Sequence, residues 1–162
     1  MTAVIRKARA SDLPVLVKLL AELFAIERDF VPDCRRQRHG LKLILSAPQE
    51  WQVFVAEVGG SVVGMCSIHR LVSTAEGAKS GLIEDVVVQQ GSRGMGIGSK
   101  LLATAEEWSF AQGLRRMQLL ADRNNTKALA FYERNGWNRT HLICLRKSGL
   151  RTAQRPNGKA TK

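Results

Sequence analysis

A chain of 162 residues, 44% hydrophobic and 24% charged, has the length and make-up of one globular domain whose core needs neither a metal nor a disulfide to hold it. The longest apolar stretch, Leu13 to Ile26, is broken by Lys18 and Glu22, the N-terminus lacks the pattern of a secretory signal, and Cys34, Cys66 and Cys144 are odd in number and far apart, which argues against a zinc site or disulfide framework; neither a membrane span nor secretion is expected, and a reducing cytosol is. The net charge of +11 favours anionic ligands, but six of the basic residues lie from Arg146 onward with no acid among them, leaving +5 on the first 145 residues.

The predicted elements begin with a short strand, Val4 to Ala8. Ser11, Asp12 and Pro14 then open a helix whose apolar residues Leu16, Leu19, Leu20, Leu23 and Phe24 recur at three- and four-residue steps to about Glu27. Residues 30–40 read as basic and irregular, with a second short helix from Leu41 to Pro48. Trp51 to Val58 and Ser61 to Arg70 alternate around Gly59-Gly60, a hairpin, and a polar loop is expected from Val72 to Lys79.

Gly81 to Gln89 is apolar on both faces, as a central strand is. The glycine-rich turn Gly91 to Gly98 leads into a helix with Leu101, Ala105 and Trp108 on one stripe, ended by Gly113. Met117 to Ala121 is a further buried strand. Asn124 to Thr126 caps a helix carrying Ala128, Phe131 and Tyr132, and Trp137 to Arg146 gives a last strand or hairpin. The order βααβββαβαβ is that of an α/β fold, a central mixed and mostly antiparallel sheet flanked by helices. The domain is drawn at 1–146, and 147–162 is a basic tail expected to be mobile, serving either solubility or attraction to an anion; the latter leaves nucleic acid open as a partner.

The strand–glycine turn–helix unit around Val86 to Lys100 carries the chemistry. Its glycines let the backbone turn, and the first amides of the helix point one way without helical partners, a site for a phosphate group beside Arg93. The spacing fits neither the nucleoside-triphosphate loop, which needs Gly-Lys-Ser/Thr at its end, nor the dinucleotide fingerprint, because Gly94, Gly96 and Gly98 run one residue short.

Arg93-x-x-Gly96-x-Gly98 between an apolar strand and a Leu-Leu helix resembles the acetyl-CoA motif of the GNAT superfamily of acyl-CoA N-acyltransferases. Asn125-x-x-Ala128-x-x-Phe131-Tyr132-x-x-x-Gly136-Trp137 resembles that family's second motif, with Trp in place of the more usual Phe. The resemblance runs from residue 3 to about 146 and implies a GNAT-type fold, acetyl-CoA as co-substrate and no metal. It further implies a pantetheine arm along Val86, Val87 and Val88, and pyrophosphate on the amides of Gly94, Met95, Gly96, Ile97, Gly98 and Ser99. Asn125 and Ala128 would flank the arm, although an N-cap alone also accounts for Asn125. Because the family often forms dimers, a homodimer is expected.

Acetyl transfer to an amine needs a base for an ammonium of pKa about 10.4 and an acid for a departing thiolate. Glu84 and Asp85 interrupt an apolar strand, a costly place for carboxylates unless they reach solvent, a partner or a cleft, and an undistorted strand aims only one of them at a given site. Ile83 to Val88 with the following glycines looks like the polyamine (spermidine/spermine) and thialysine acetyltransferase branch. That implies Glu84 as base, directly or through water, with Asp85 binding a cationic substrate; pairing with basic neighbours is the alternative for each. Tyr132, the chain's one tyrosine, falls where the family has its general acid, or else packs beside Phe131. Leu20-x-Glu22-Leu23-x-x-x-Glu27 resembles the same branch and implies Glu27 as a receptor for the amine; a surface charge at a helix end is the other reading. Against a cationic acceptor stand the basic composition and Arg35, Arg36 and Arg38, which could receive a phosphate, and a similarity of Ile83 to Val88 to glucosamine-phosphate acetyltransferases. A small amine is the expected substrate, with protein acetylation and a catalytically silent nucleic-acid-associated module as the rival readings.

Overall fold

The computed structural model describes residues 2–27 and 29–147. β1 (Val4–Lys7), β2 (Trp51–Val58), β3 (Ser61–Ser73), β4 (Ala78–Val88) and β5 (Met117–Leu119) form one sheet in sequence order, antiparallel except for the parallel β4–β5 pair. α1 (Leu13–Phe24) and α2 (Cys34–Ser46) cover one face; α3 (Ile97–Ala111) covers the other, with α4 (Thr126–Arg134) joining its core through Phe131 and Tyr132. Alternation along β2 divides the core. Val53 and Val55 pack with Leu16, Leu20 and Leu41, while Phe54 and Ala56 pack with Leu101, Leu102 and Ala105.

Arg6 ties the start of the sheet together. Its guanidinium donates to both oxygens of Asp12, at 2.8 and 3.0 Å, and to Glu57 on β2 at 2.8 Å, while Asp12 also accepts the Arg9 amide at 2.7 Å. The entry to α1 is thereby fixed against β1 and β2.

Three sequence expectations are corrected. Residues 34–40 are helical, because the Asp33 carboxylate accepts the amides of Arg35 and Arg36 and caps α2 a whole turn and more before Leu41. The inward position in that added stretch is held by Gln37, so no apolar stripe advertised it. The polar loop expected from Val72 to Lys79 is a tight turn between extended strands: β3 and β4 pair out to Ser73 opposite Ala78, with Gly77 at φ +56°. The last strand, Trp137 to Arg146, is absent from the described residues. β5 is three residues long, too short an edge to hold it, and Leu142, Ile143 and Leu145 are 82%, 73% and 86% exposed. The segment instead meets the α1–α2 loop, where Arg146 lies 3.8 Å from Asp29 and over the Phe30 ring. The tail beyond Lys147 lies outside the described residues.

One irregularity positions the site. Cys66 pairs with Val86 and Ile68 with Ile83, so Ser67 alone opposes both Glu84 and Asp85. The Ser67 hydroxyl accepts the Asp85 amide at 3.1 Å and donates to its carboxylate at 2.8 Å, replacing the missing ladder bonds. This β-bulge shifts the alternation by one: Ile83, Val86 and Val88 pack on the α3 side and Val87 on the α1 side.

Candidate active site

Immediately past the bulge, β4 and β5 part. Their parallel pairing ends at Ile83 opposite Leu119. Beyond it Val86, Val87 and Val88 face Leu120, Ala121 and Asp122 across a cleft of about 160 Å³, roofed by Leu23 from α1, by Glu27 just past the end of that helix, and by Ala128 and Tyr132 from α4. The β5-side edge of β4 therefore has no strand partner here and, apart from the Val88 carbonyl that Arg93 takes, can receive an extended ligand as a further strand would be received. The cleft lies at the carboxyl ends of two parallel strands, where open α/β sheets bind ligands.

At the far end of β4 the chain turns through Gly94 (φ +78°) and Gly96 (φ +73°), the left-handed N-cap of α3. A Cβ on Gly91, Gly94 or Gly96 would meet nothing within 4 Å. Among the described residues, the amides of residues 94–99 donate no hydrogen bond within the protein; the first α3 amide to find a carbonyl is Lys100, on Gly96. Six free amides around an open hollow at a 15-residue helix's positive end form a receptor for an anion. Gly98 serves differently. A Cβ there would stand 3.0 Å from the Phe131 ring, so its bareness lets α4 approach α3.

Arg93 braces this turn. Its Nε donates to the Val88 carbonyl at 2.8 Å, and Glu22 of α1 accepts the Gln90 amide at 3.1 Å and stands 3.8 Å from the Arg93 guanidinium. The Asn125 side chain accepts the Ala128 amide at 3.1 Å and so caps α4, while both residues also line the cleft.

Tyr132 and Glu27 give the cleft its chemistry, with Asp85 and Glu84 on the neighbouring strand. Tyr132 packs edge-on against Phe131 and Trp137, with centroids at 5.3 and 6.4 Å, and Trp137 is anchored by its Nε1–H on Glu106 at 2.8 Å. Burial, with Cys66 and Glu27 near, raises the Tyr132 phenol to about 12, so it stays protonated. Burial also raises the Asp85 carboxyl to about 6, against the opposing Ser67 hydrogen bond and with help from Glu84. Glu27 is raised by its own burial and by the carboxylates of Asp85, Asp122, Asp29 and Glu84. Of the two strand carboxylates, Asp85 lines a second cavity, of about 530 Å³, between α1, α2 and β4; Glu84 is exposed and lines neither cavity.

The residues expected to act together are thus largely assembled: Val86, Val87, Val88, Arg93, Asn125, Ala128, Tyr132 and Glu27 border the first cleft. Of the arginines weighed as phosphate receptors only Arg36 reaches either cavity, and its Nε lies 3.3 Å from Asp33. Sequence reading missed Ser67, Gln37 and Asp122. Of these only Asp122 carried a readable signal, an acid just beyond the predicted strand Met117 to Ala121; that strand is only Met117–Leu119 and is half-buried rather than buried.

Comparison with known proteins agrees with this geometry. Residues 16–137 match the acetyltransferase (GNAT) family, and the chain belongs to that family. It is 31% identical over 138 residues to an aminoalkylphosphonate N-acetyltransferase of Salmonella typhimurium, covering 85% of this chain and 86% of that one. It is 26% identical over 136 residues to the uncharacterised N-acetyltransferase YhfO of Bacillus subtilis, covering 82% and 88%. Among solved structures, AAC(6')-Iy in complex with the bisubstrate analogue CoA-S-monomethyl-acetylneamine superimposes with a TM-score of 0.77 at 18% identity, over 93% of this chain and all of that one. The protein is an acetyl-CoA-dependent N-acetyltransferase. The residues present suit acetyl-CoA: the free amides of residues 94–99 match a pyrophosphate, and the unpaired edge of β4 matches the amide-bearing arm.

Proposed function

We propose that the acceptor is a small primary amine carrying positive charge beyond its reacting nitrogen, of the polyamine or thialysine kind. The observation that carries this reading is the acidic lining: Glu27 and Asp122 border the cleft and Asp85 and Asp29 the second cavity, and the Glu27 carboxyl is raised by burial and by these charges and Glu84. A cation in the cleft relieves that repulsion; an anion adds to it.

In this reading the amides of residues 94–99 and the edge of β4 hold acetyl-CoA with its thioester beside Val86 and Val87. The amine nitrogen attacks the thioester carbonyl, a C–N bond forms and the C–S bond breaks. Strand amides near Val86 and Val87 stabilise the oxygen charge that develops. Glu84, exposed at the bulge, receives the proton lost by the ammonium, directly or through water, while Asp85 and Glu27 hold the cation. Tyr132 donates its proton to the departing sulfur, and its high phenol pKa keeps it charged with that proton at neutral pH.

A second reading has one specific observation behind it. Arg36 borders the larger cavity, and the Salmonella relative is an aminoalkylphosphonate N-acetyltransferase, so an acceptor bearing phosphonate or phosphate would find one guanidinium there. The Arg36–Asp33 pair already offsets that charge.

The deciding measurement is kcat/KM for spermidine, thialysine, 2-aminoethylphosphonate and glucosamine 6-phosphate, on the native chain, Asp85→Asn and Arg35→Ala/Arg36→Ala. The cationic amines are expected to lead by at least about tenfold and to lose most in Asp85→Asn, since one mispaired charge in a partly buried cleft costs a few kcal/mol at an effective dielectric near 20. Preference for the anionic acceptors, abolished in the double arginine variant, overturns the reading.

A further inference from the structure

We propose that Gln37 is a specificity-determining residue that binds the far end of the acceptor and makes the enzyme select α,ω-diamines over monoamines. The inference rests on the cationic-amine reading above and adds to it a residue on the opposite wall of the acceptor cavity.

Gln37 is 6% exposed in the first turns of α2, and neither Oε1 nor Nε2 has a hydrogen-bond partner. A buried carboxamide with both ends unpaired is costly, and native structures supply such groups with a partner, water or a ligand. Gln37 is also a wall residue of a cavity. That cavity holds about 530 Å³, within the roughly 300–1,000 Å³ of small-molecule sites. Its walls are apolar along Leu20, Phe24, Leu41 and Ile44, with Asp85 on the sheet wall and Gln37 on the α2 wall.

A ligand that suits this lining has a hydrocarbon middle and a polar group at each end. In this proposal one end lies at Asp85, whose neighbour on β4, Val86, borders the cleft that holds Tyr132. Its polar group is therefore the reacting ammonium or one adjoining it. The other end meets Gln37, where a carboxamide oxygen accepts from a second ammonium. Asp29 and Asp33 also border the cavity, Asp33 with Arg36 3.3 Å away and Asp29 with Arg146 3.8 Å away, so among the described residues that end carries acids and bases in balance and leaves the Gln37 carboxamide to choose the ligand's far group. A monoamine of the same length leaves Gln37 unpaired. Sites built around a buried polar group discriminate in this way against analogues lacking the matching group.

The test compares 1,4-diaminobutane with 1-aminobutane as acceptors for the full-length enzyme, in the native chain, Gln37→Leu, Gln37→Met and Gln37→Glu. The native enzyme is expected to prefer the diamine. In Gln37→Leu and Gln37→Met the diamine-to-monoamine ratio of kcat/KM should fall by roughly 10- to 100-fold, the worth of one hydrogen bond to a charged group, with the loss in KM rather than kcat. Gln37→Glu, which keeps an acceptor oxygen, should retain the preference. Both apolar variants remove an unpaired polar group, so their melting temperatures should not fall. A ratio that is the same in the native chain and both apolar variants overturns the proposal and leaves Gln37 a structural amide. Calorimetric binding of 1,4-diaminobutane to the same four proteins separates the two readings: diamine binding insensitive to Gln37 defeats this inference alone, whereas turnover confined to anionic acceptors defeats the cationic-amine reading.

Discussion

Tyr132 shows how one residue combines packing with proton chemistry. Its ring is held between Phe131 and Trp137, while its hydroxyl, in a cleft-lining residue, has no hydrogen-bond partner among the described residues. Tyr132→Phe keeps the ring and removes the proton donor alone. Turnover should fall by about 10²-fold with acetyl-CoA affinity essentially unchanged, measured by steady-state kinetics and calorimetry. Unchanged turnover would return Tyr132 to a packing role. The same scale shows where sequence reading stops. Glu84 and Asp85 were legible as functional because carboxylates in an apolar strand need a reason, but which of them faces the cavity depends on the Ser67 bulge. That bulge reverses the alternation from which side-chain direction is inferred, and nothing in Ser67 as a residue type foretells it.

Among the elements, α3 and its glycine turn were the most readable, since helix starts that receive anions depend on backbone conformation and a spacing of glycines records it. Gly96 sits at φ +73° with open space where a Cβ would stand. Gly96→Val places a β-branched side chain into that space and strains the backbone besides. Gly113, at φ +78° past the other end of α3 and likewise open, carries the same strain away from the anion receptor. Gly96→Val and Gly113→Val should lose comparable stability in urea unfolding, but only the former should weaken acetyl-CoA binding, by tenfold or more in calorimetry. Equal affinities in the two variants would remove the turn from the acetyl-CoA site. The helix α2 was half hidden for the opposite reason. Its buried position 37 is a glutamine, so the periodicity that reveals helices was interrupted where the molecule departs from a plain core. The strand expected near the C-terminus failed differently: Leu142, Ile143 and Leu145 have strand-like patterning, but a strand also needs an edge to pair with, and pairing is not a local property.

Over the whole molecule, the carboxylates divide into two sets with opposite pH dependence. Asp12 is held below the ordinary carboxylate range, chiefly by its hydrogen bonds from Arg6, and so contributes stability above about pH 4 that is lost as the pH falls through its folded value. Asp85, raised to about 6 by burial, acts in reverse: between pH 8 and pH 4 the folded chain takes up a proton that the unfolded chain does not, and stability rises. A shift of that size corresponds to on the order of 3 kcal/mol. Glu27, also raised, adds to the rise in the same direction. Unfolding free energy from urea titration should therefore climb from pH 8 to about pH 5 and drop steeply below pH 4, where Asp12 releases Arg6. Asp85→Asn retains an oxygen to accept from Ser67 but has no proton to gain, so it should be more stable than the native chain at pH 8 and show a flatter climb. Amine turnover should run the other way. As the pH falls through 6, Asp85 is neutralised and ceases to hold a cation, and kcat/KM for spermidine should decline with an apparent pKa near 6 in the native chain and lose that inflection in Asp85→Asn. A parallel course of stability with pH in the two proteins, or an inflection that survives the substitution, would assign the titration to another group. The opposition follows from placing ionised carboxylates in a partly buried cleft: the charge that recruits the substrate is the charge that loosens the fold.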